Sequence, residues 1–202
     1  MKKKFLSKDI QLNFLRENRK YLHSTDIFEK ILFINKSNLI KNLNISFIKP
    51  ILNENEIIIQ SKFSKTLKAK SSLYFEYEIK KNQFFGFLIE LKKKLTKKKK
   101  YDENKIKKKS KFDKKNIIVP NLKEFNFIEL IIACAMKFLK KKSPETISKW
   151  YLAKINLFSF SYQRLFKKSD LVLEIDKVKS TIYNFKLYLK NKKIGSMVFI
   201  KT

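Results

Sequence analysis

Apolar positions recur at helical spacing over residues 9–22 (DIQLNFLRENRKYL) and 25–40 (TDIFEKILFINKSNLI), which predicts two helices, the second capped by Ser24 or Thr25. From residue 42 the period shortens. NLNISFIKP, EIIIQSKFSKTL, SSLYFEYEIKK and QFFGFLIELKK alternate or run apolar as half-buried strands do, with breaks after Pro50, around Lys68 and at Asn82. The run from Lys92 to Lys115 predicts a solvated linker or a long lysine-rich loop. After it the order repeats. Lys123–Lys142 is apolar almost all round a helix and is expected inside, and Ser143-Pro144 predicts the start of a short helix. Four strands are expected over 151–162, 170–179, 181–191 and 194–201.

The two halves can be laid on each other. ILNENEIII from Ile51 matches LFKKSDLVL from Leu165, the segment from Leu73 matches the segment from Ile182, and Gly86 falls on Gly195. The unit so repeated is one long helix followed by a four-stranded antiparallel meander. This divides the chain into a first half over 1–95, a lysine-rich linker or loop over 96–116 and a second half over 117–202.

The 202 residues suit one ordinary domain or two very small ones, and 44% hydrophobic with 14% aromatic residues is enough for a packed core. Two glycines exclude the Gly-rich phosphate cradles, and one cysteine with one histidine makes neither an internal disulfide nor a zinc ligand set. The formal charge of +30 suggests nucleic acid, yet only Arg16, Arg19 and Arg164 among the 48 basic residues are arginine. Phosphate and base readers draw on arginine for its planar fork, whereas A/T-rich codons can produce a chain rich in Lys, Ile, Asn and Phe without a phosphate partner. Nucleic acid is therefore possible but not favoured. Lys8 and Asp9 interrupt any leader-like apolar run, and Phe125–Leu139 is too short to span a bilayer, so a cytoplasmic protein without a membrane span is expected.

Residues 151–200 resemble the C-terminal sheet of the 3-hydroxyacyl-carrier-protein dehydratases of the hotdog superfamily. The family's Pro-Gly-Asp turn stands here as Phe166-Lys167-Lys168-Ser169-Asp170-Leu171, with Ser169 in place of the glycine. NFIELIIACAM, residues 126–136, is similar to the central-helix segment that carries the family's acidic catalytic residue, which falls on Glu129. The resemblance covers about 80 C-terminal residues and is fainter over 42–91; the Gly/Pro-rich loop with its histidine, due near 110–122, is replaced by lysines. It implies an α+β fold, a tandem (double) hotdog with a long central helix wrapped by an antiparallel sheet in each half. The chain would then be an intramolecular pseudo-dimer, with further oligomerisation possible.

Two residues follow as a candidate catalytic pair. On a helix Glu129 has Phe125, Ile132, Ala133 and Met136 as neighbours, so its carboxylate is expected in an apolar stripe, where burial favours the protonated acid, unless it turns to solvent or a lysine. His23, the lone histidine, immediately precedes a helix, as the family's histidine does, but in the opposite half. In a two-half site His23 would remove the C2 proton of a 3-hydroxyacyl thioester and Glu129 would protonate the departing hydroxyl; the bland alternative makes His23 a surface or capping residue. Asp26 and Glu29 either orient its ring or are ordinary first-turn acids. Cys134 is expected in the core, and Trp150, Tyr151, Phe158 and Phe160 either stack bases or, as alternating strand aromatics usually do, pack inside.

The resemblance implies dehydration of a 3-hydroxyacyl thioester on acyl carrier protein or coenzyme A in fatty-acid-type metabolism, with no metal or redox cofactor. An acyl thioesterase or a non-catalytic hotdog subunit are alternatives within the fold. The rival from another class is a small basic RNA-binding or ribosome-associated protein that uses Lys92–Lys115.

Overall fold

The computed structural model describes residues 5–6, 14–16, 21–36, 38–99, 102–113, 115–142, 149–160 and 171–202. In chain order the elements are β1 (Phe5–Leu6), β2 (Phe14–Arg16), α1 (Ser24–Ile34), β3 (Ile40–Phe47), β4 (Asn53–Gln60), α2 (Lys65–Lys70), β5 (Leu73–Ile79), β6 (Asn82–Lys94) and β7 (Lys97–Lys99). There follow α3 (Glu103–Lys109), β8 (Lys111–Asp113), β9 (Asn116–Ile118), α4 (Phe127–Lys142), β10 (Trp150–Phe160), β11 (Leu171–Lys179), β12 (Ile182–Leu189) and β13 (Lys192–Lys201). The short helix expected at Ser143-Pro144 and the turn expected at 166–170 lie outside the described residues, as does most of the helix expected over 9–22. Where that last segment is described, at Phe14–Arg16, it is a strand paired in parallel with β7.

Eleven strands join into one antiparallel sheet, β1-β4-β6-β5-β3-β10-β13-β12-β11-β9-β8, so the class is α+β. The middle of the sheet is the pairing of β3 with β10, where Leu43 faces Leu157 and Ile45 faces Ile155. These four side chains are buried, and the buried alternation in β3 breaks at a register shift around Asn42, whose φ of 51° is a conformation asparagine tolerates. A second shift between Leu152 and Lys154 interrupts β10 against β13. The extra residue bends each of the two central strands.

Both longer helices cover the buried face of this sheet. Phe28 of α1 and Phe127 of α4 bring their rings to 6.1 and 5.1 Å from that of Phe160 on β10, and Phe138 of α4 sits edge-on to Phe185 of β12. α4 is buried along nearly its whole length, as its all-round apolar pattern predicts; α1 ends at Ile34, earlier than expected, because Asn35 closes it and Ile40 already belongs to the sheet.

The two halves share strand positions but not connections. From the outer strand β11 the chain returns inward by adjacent hairpins, β12 and then β13 against β10. From the outer strand β4 it instead passes over β6 by way of α2, forms β5 against β3, and only then fills the gap with β6. Phe63, just before α2, packs edge-on to Tyr74 and Phe85 and holds this crossing down. Gly86 and Gly195, aligned in sequence, accordingly serve different ends. A Cβ on Gly86 would meet the ring of buried Phe75 on the opposite strand, and one on Gly195 would meet the backbone carbonyl of Asn156.

The lysine run differs most from expectation. Asp102 caps α3 through the amides of Asn104 and Lys105, Ile106 is fully buried, and Lys137 of α4 donates to the carbonyl oxygens of Lys107 and Ser110. One apolar residue in seven was enough to seat the helix, because the lysines around it keep their heads in water.

The hairpins β5–β6 and β12–β13 turn on Lys80-Lys81 and Lys190-Asn191, all four with φ between 48° and 67°. Such turns match the twist of a hairpin but favour Asn-Gly, and a lysine in the left-handed region costs about 1–2 kcal/mol. Replacing Lys80-Lys81 by Asn-Gly is expected to raise the melting temperature by roughly 2–4 °C per kcal/mol regained, read by calorimetry.

Candidate functional site

α4 begins with a reciprocal cap. Asn126 Oδ1 accepts the Glu129 amide at 2.9 Å and Glu129 Oε2 accepts the Asn126 amide at 2.8 Å, which satisfies two of the helix's unbonded donors. The other oxygen of Glu129 accepts Arg16 Nη2 at 2.7 Å. Arg16 also holds Asp26 of α1 in a two-point fork, Nε to Oδ2 at 2.8 Å and Nη2 to Oδ1 at 2.6 Å. Arg16 and Asp26 are 2% and 4% exposed, so the charges are withdrawn from water and must satisfy each other. Burial works against the charge on Arg16, but the hydrogen bond and charge of Asp26, then those of Glu129, more than offset it and hold the guanidinium above its ordinary range.

At the start of α1, buried His23 is the cap: its Nδ1 accepts the Thr25 amide at 3.4 Å and lies 2.8 Å from the Thr25 hydroxyl oxygen. The amide contact suits the tautomer with hydrogen on Nε2, while the Thr25 hydroxyl can pair with Nδ1 in either tautomer.

His23 also lines a cavity of about 310 Å³. Ile27 and Ile51 come to its wall from the first half of the chain, and Ile132, Met136 and Trp150 from the second. Its rim at Lys49 and Ile51 is fixed from outside. Glu90 of β6 accepts the amides of Leu52 and Asn53 at 2.9 and 3.1 Å and the Ser72 hydroxyl at 2.6 Å, with Lys49 Nζ at 3.5 Å. Partial burial pushes the Glu90 carboxyl upward, but Ser72, the two amides and Lys49 together hold it below the usual carboxylate range.

The two expected catalytic residues thus have different surroundings. His23 is on the cavity wall; Glu129 is not among the residues that line it, and its carboxylate is bound by Arg16 rather than isolated in an apolar stripe. The helix neighbours of Glu129 say nothing of β2, more than 100 residues away, which brings Arg16 to its carboxylate. Asp26 and Glu29 turn to Arg16 and Asn126 respectively. Cys134 is fully buried and its thiol is pushed by that burial up to about 12, so it is a core residue without thiolate character. Phe160 is in the core and Phe158 is exposed. Among the described residues no cluster of His, Cys, Asp and Glu is placed to hold a metal ion, and no helix is long and apolar enough to cross a membrane.

Arg16 and Asn126 were not singled out as site residues from the sequence, and Trp150 only as an aromatic that stacks bases or packs inside. For Arg16 and Asn126 signals were present: an arginine where the chain otherwise uses lysine, and Asn-x-x-Glu ahead of an apolar run.

No protein-family profile and no curated protein matches the chain. Solved structures do. The chain is similar to a 12:0-ACP thioesterase from Umbellularia californica, at TM-score 0.46 and 7% identity over 96% of each chain. It is also similar to an acyl-ACP thioesterase from Bacteroides thetaiotaomicron, at 0.39 and 7% over 96% of each chain. A protein with a hot dog fold from Alicyclobacillus acidocaldarius matches at 0.41 and 6%, over 91% of this chain and 87% of the other. These likenesses are loose, and the strand order and helix placement describe the fold without them.

Arg16→Met leaves two carboxylates without their cation and is expected to destabilise the protein by about 3–5 kcal/mol in a urea titration. Arg16→Lys keeps the charge but loses the fork, and should still cost on the order of 2 kcal/mol. Because the Glu90 carboxyl is lowered on folding, its contribution is complete above the ordinary glutamate value of about 4.3 and is lost as the pH falls through the lower folded value. Glu90→Gln should flatten that acid limb of the stability curve.

Proposed function

We propose that the chain is a tandem hotdog protein that binds an acyl thioester in the cavity between its halves and hydrolyses it. The proposed halves are 1–95 and 117–202, acting as an intramolecular pseudo-dimer across the β3–β10 pairing, with 96–116 joining them. The observation that carries this reading is the cavity itself. Its wall is mostly apolar, it is drawn from both halves and both longer helices, and its one imidazole is held at a helix cap that suits the neutral ring with hydrogen on Nε2. Such a ring is a hydrogen-bond donor to a thioester carbonyl and to the oxyanion formed when water adds to it. At about 310 Å³ the cavity lies at the small end of ligand sites, roughly 300–1,000 Å³, which favours a short or medium acyl group.

Hydrolysis is favoured over dehydration on chemical grounds. Dehydration of a 3-hydroxyacyl group needs a base for the C2 proton and an acid for the leaving hydroxyl. The capping role leaves Nδ1 of His23 facing Thr25, and Glu129 is ion-paired with Arg16. The acyl carrier could be coenzyme A or an acidic carrier protein, and the lysine-rich surface suits the phosphates of the first and the charge of the second.

The test is release of free thiol from acyl-coenzyme A substrates of graded length, with enoyl absorbance followed in parallel on a 3-hydroxyacyl substrate. Thiol release is expected with short or medium chains. His23→Asn, which retains a capping oxygen, should lower kcat by about 10²-fold while leaving the melting temperature in place. No thiol release from any chain length, or full activity in His23→Asn, overturns the proposal; enoyl formation would restore dehydration.

A further inference from the structure

The cavity beside His23 lies where the two central strands part. β3 pairs with β10 only from Ser46 opposite Lys154 onward. Beyond that point Trp150–Leu152 stay with β13, whereas the amides of Ile48 and Lys49 turn away to the carbonyl of Ser72, at 3.0 and 3.2 Å. The cavity wall draws on both sides of this gap and on both faces of the sheet. Ile132 and Met136 come from α4 on the covered face. Tyr151 and Ile200 alternate with buried Trp150, Leu152 and Phe199, so they stand on the face that the longer helices leave open. On that face the row across the sheet is apolar, with Tyr151 opposite Ile200 and Ile200 opposite Ile182, until Lys179 closes it opposite Ile182. Ile48 and Ile200 are 52% and 36% exposed, so the opening is edged by aliphatic side chains that face water. Lysines frame it: Lys49 on the cavity wall, Lys149 before β10, Lys154 just past the register shift and Lys179 are all exposed. Lys49 lies 3.5 Å from Glu90, and the other three take part in none of the ion pairs among the described residues.

We propose that this end of the open sheet face docks on an anionic lipid bilayer, with the Ile48 and Ile200 edge set into the headgroup layer and the lysines on lipid phosphates. The cavity then opens against the membrane rather than into bulk water. The residue types choose the occupant. Protein interfaces are depleted in lysine and gather arginine and aromatic rings, whereas aliphatic side chains ringed by lysine suit a lipid surface. A lysine close to an anionic leaflet strengthens partition about fivefold. The docking surface stands on the geometry of the sheet alone; only the identity of what enters, an acyl chain drawn from the bilayer, rests on the acyl-binding reading above.

Sedimentation with vesicles reads the partition, using phosphatidylcholine alone and phosphatidylcholine with about a third phosphatidylglycerol. Binding is expected on the second and not on the first, and weakens as salt rises. Ile48→Asp, at a position already exposed, should lower partition about tenfold with the melting temperature in place. Lys154→Gln combined with Lys179→Gln should lower it roughly twentyfold. The same loss of charge at the other end of the β12–β13 hairpin, Lys190→Gln with Lys192→Gln, should cost under about threefold. Equal losses from the two lysine pairs, or an Ile48→Asp variant that partitions like the parent, mean undirected charge attraction and overturn the proposal. So does an absence of binding to the anionic vesicles; retention by a soluble acidic carrier protein in that case gives the surface to a protein partner. Thiol release measured without vesicles keeps the two readings apart. Hydrolysis without partition removes the membrane and leaves the function, and partition without hydrolysis does the reverse.

Discussion

A buried arginine between two acids ties the described molecule together. Arg16 lies on a three-residue strand, Asp26 in the first turn of α1 and Glu129 in the first turn of α4, so a single guanidinium joins three elements. Each acid sits at a helix N-terminus, where the backbone dipole already favours negative charge, and Glu129 spends its second oxygen on the cap of its own helix. The cation is thus met by acids already placed by local helix chemistry. With both helix starts fixed to one planar group, the faces of α1 and α4 that meet at Phe160 are set, and so is the space left beside them.

The choice of residue matters because it runs against the composition. In a chain where lysine is the prevailing cation, an arginine at a site 2% exposed marks a place where a point charge does not suffice. A fork with Nε and Nη2 engages both oxygens of Asp26 and still reaches Glu129; an ammonium lacks that planar geometry. The same composition misled elsewhere. The charge density of 92–115 masked α3, because the cap at Asp102 and the single buried Ile106 are small signals beside 14 lysines.

What was legible followed from period and punctuation. The four strands of the second half, the interior helix near 123–142 and the hairpin breaks all appear close to where apolar alternation put them. Connection order was not legible: the sequence match pairs β5 with β12 and β6 with β13, yet in the sheet β5 and β13 are the strands beside the central pair. A hairpin aligned residue for residue can be entered from either side, and only the length of the path over β6, taken up by α2, records which. The candidate site was half legible for the same reason. His23 before a helix is a local pattern, whereas the cation that holds Glu129 is a long-range fact that no spacing encodes.

Placing His23 at the cap has a chemical consequence. A histidine that closes a helix through Nδ1 accepts the Thr25 amide only in the tautomer with hydrogen on Nε2. On the proposed reading a hydrogen on Nε2 would be the one that meets a carbonyl, an electrophilic rather than a basic role. Hydrolysis in such a cavity depends on polarising a carbonyl and excluding competing solvent, both supplied by an apolar wall and a fixed donor. The register shift in β10 falls at Leu152 and Ala153 on the cavity wall, and the clamp of Glu90 on Leu52 and Asn53 adjoins Ile51 on the same wall, so both shape the space at this end of the sheet's seam.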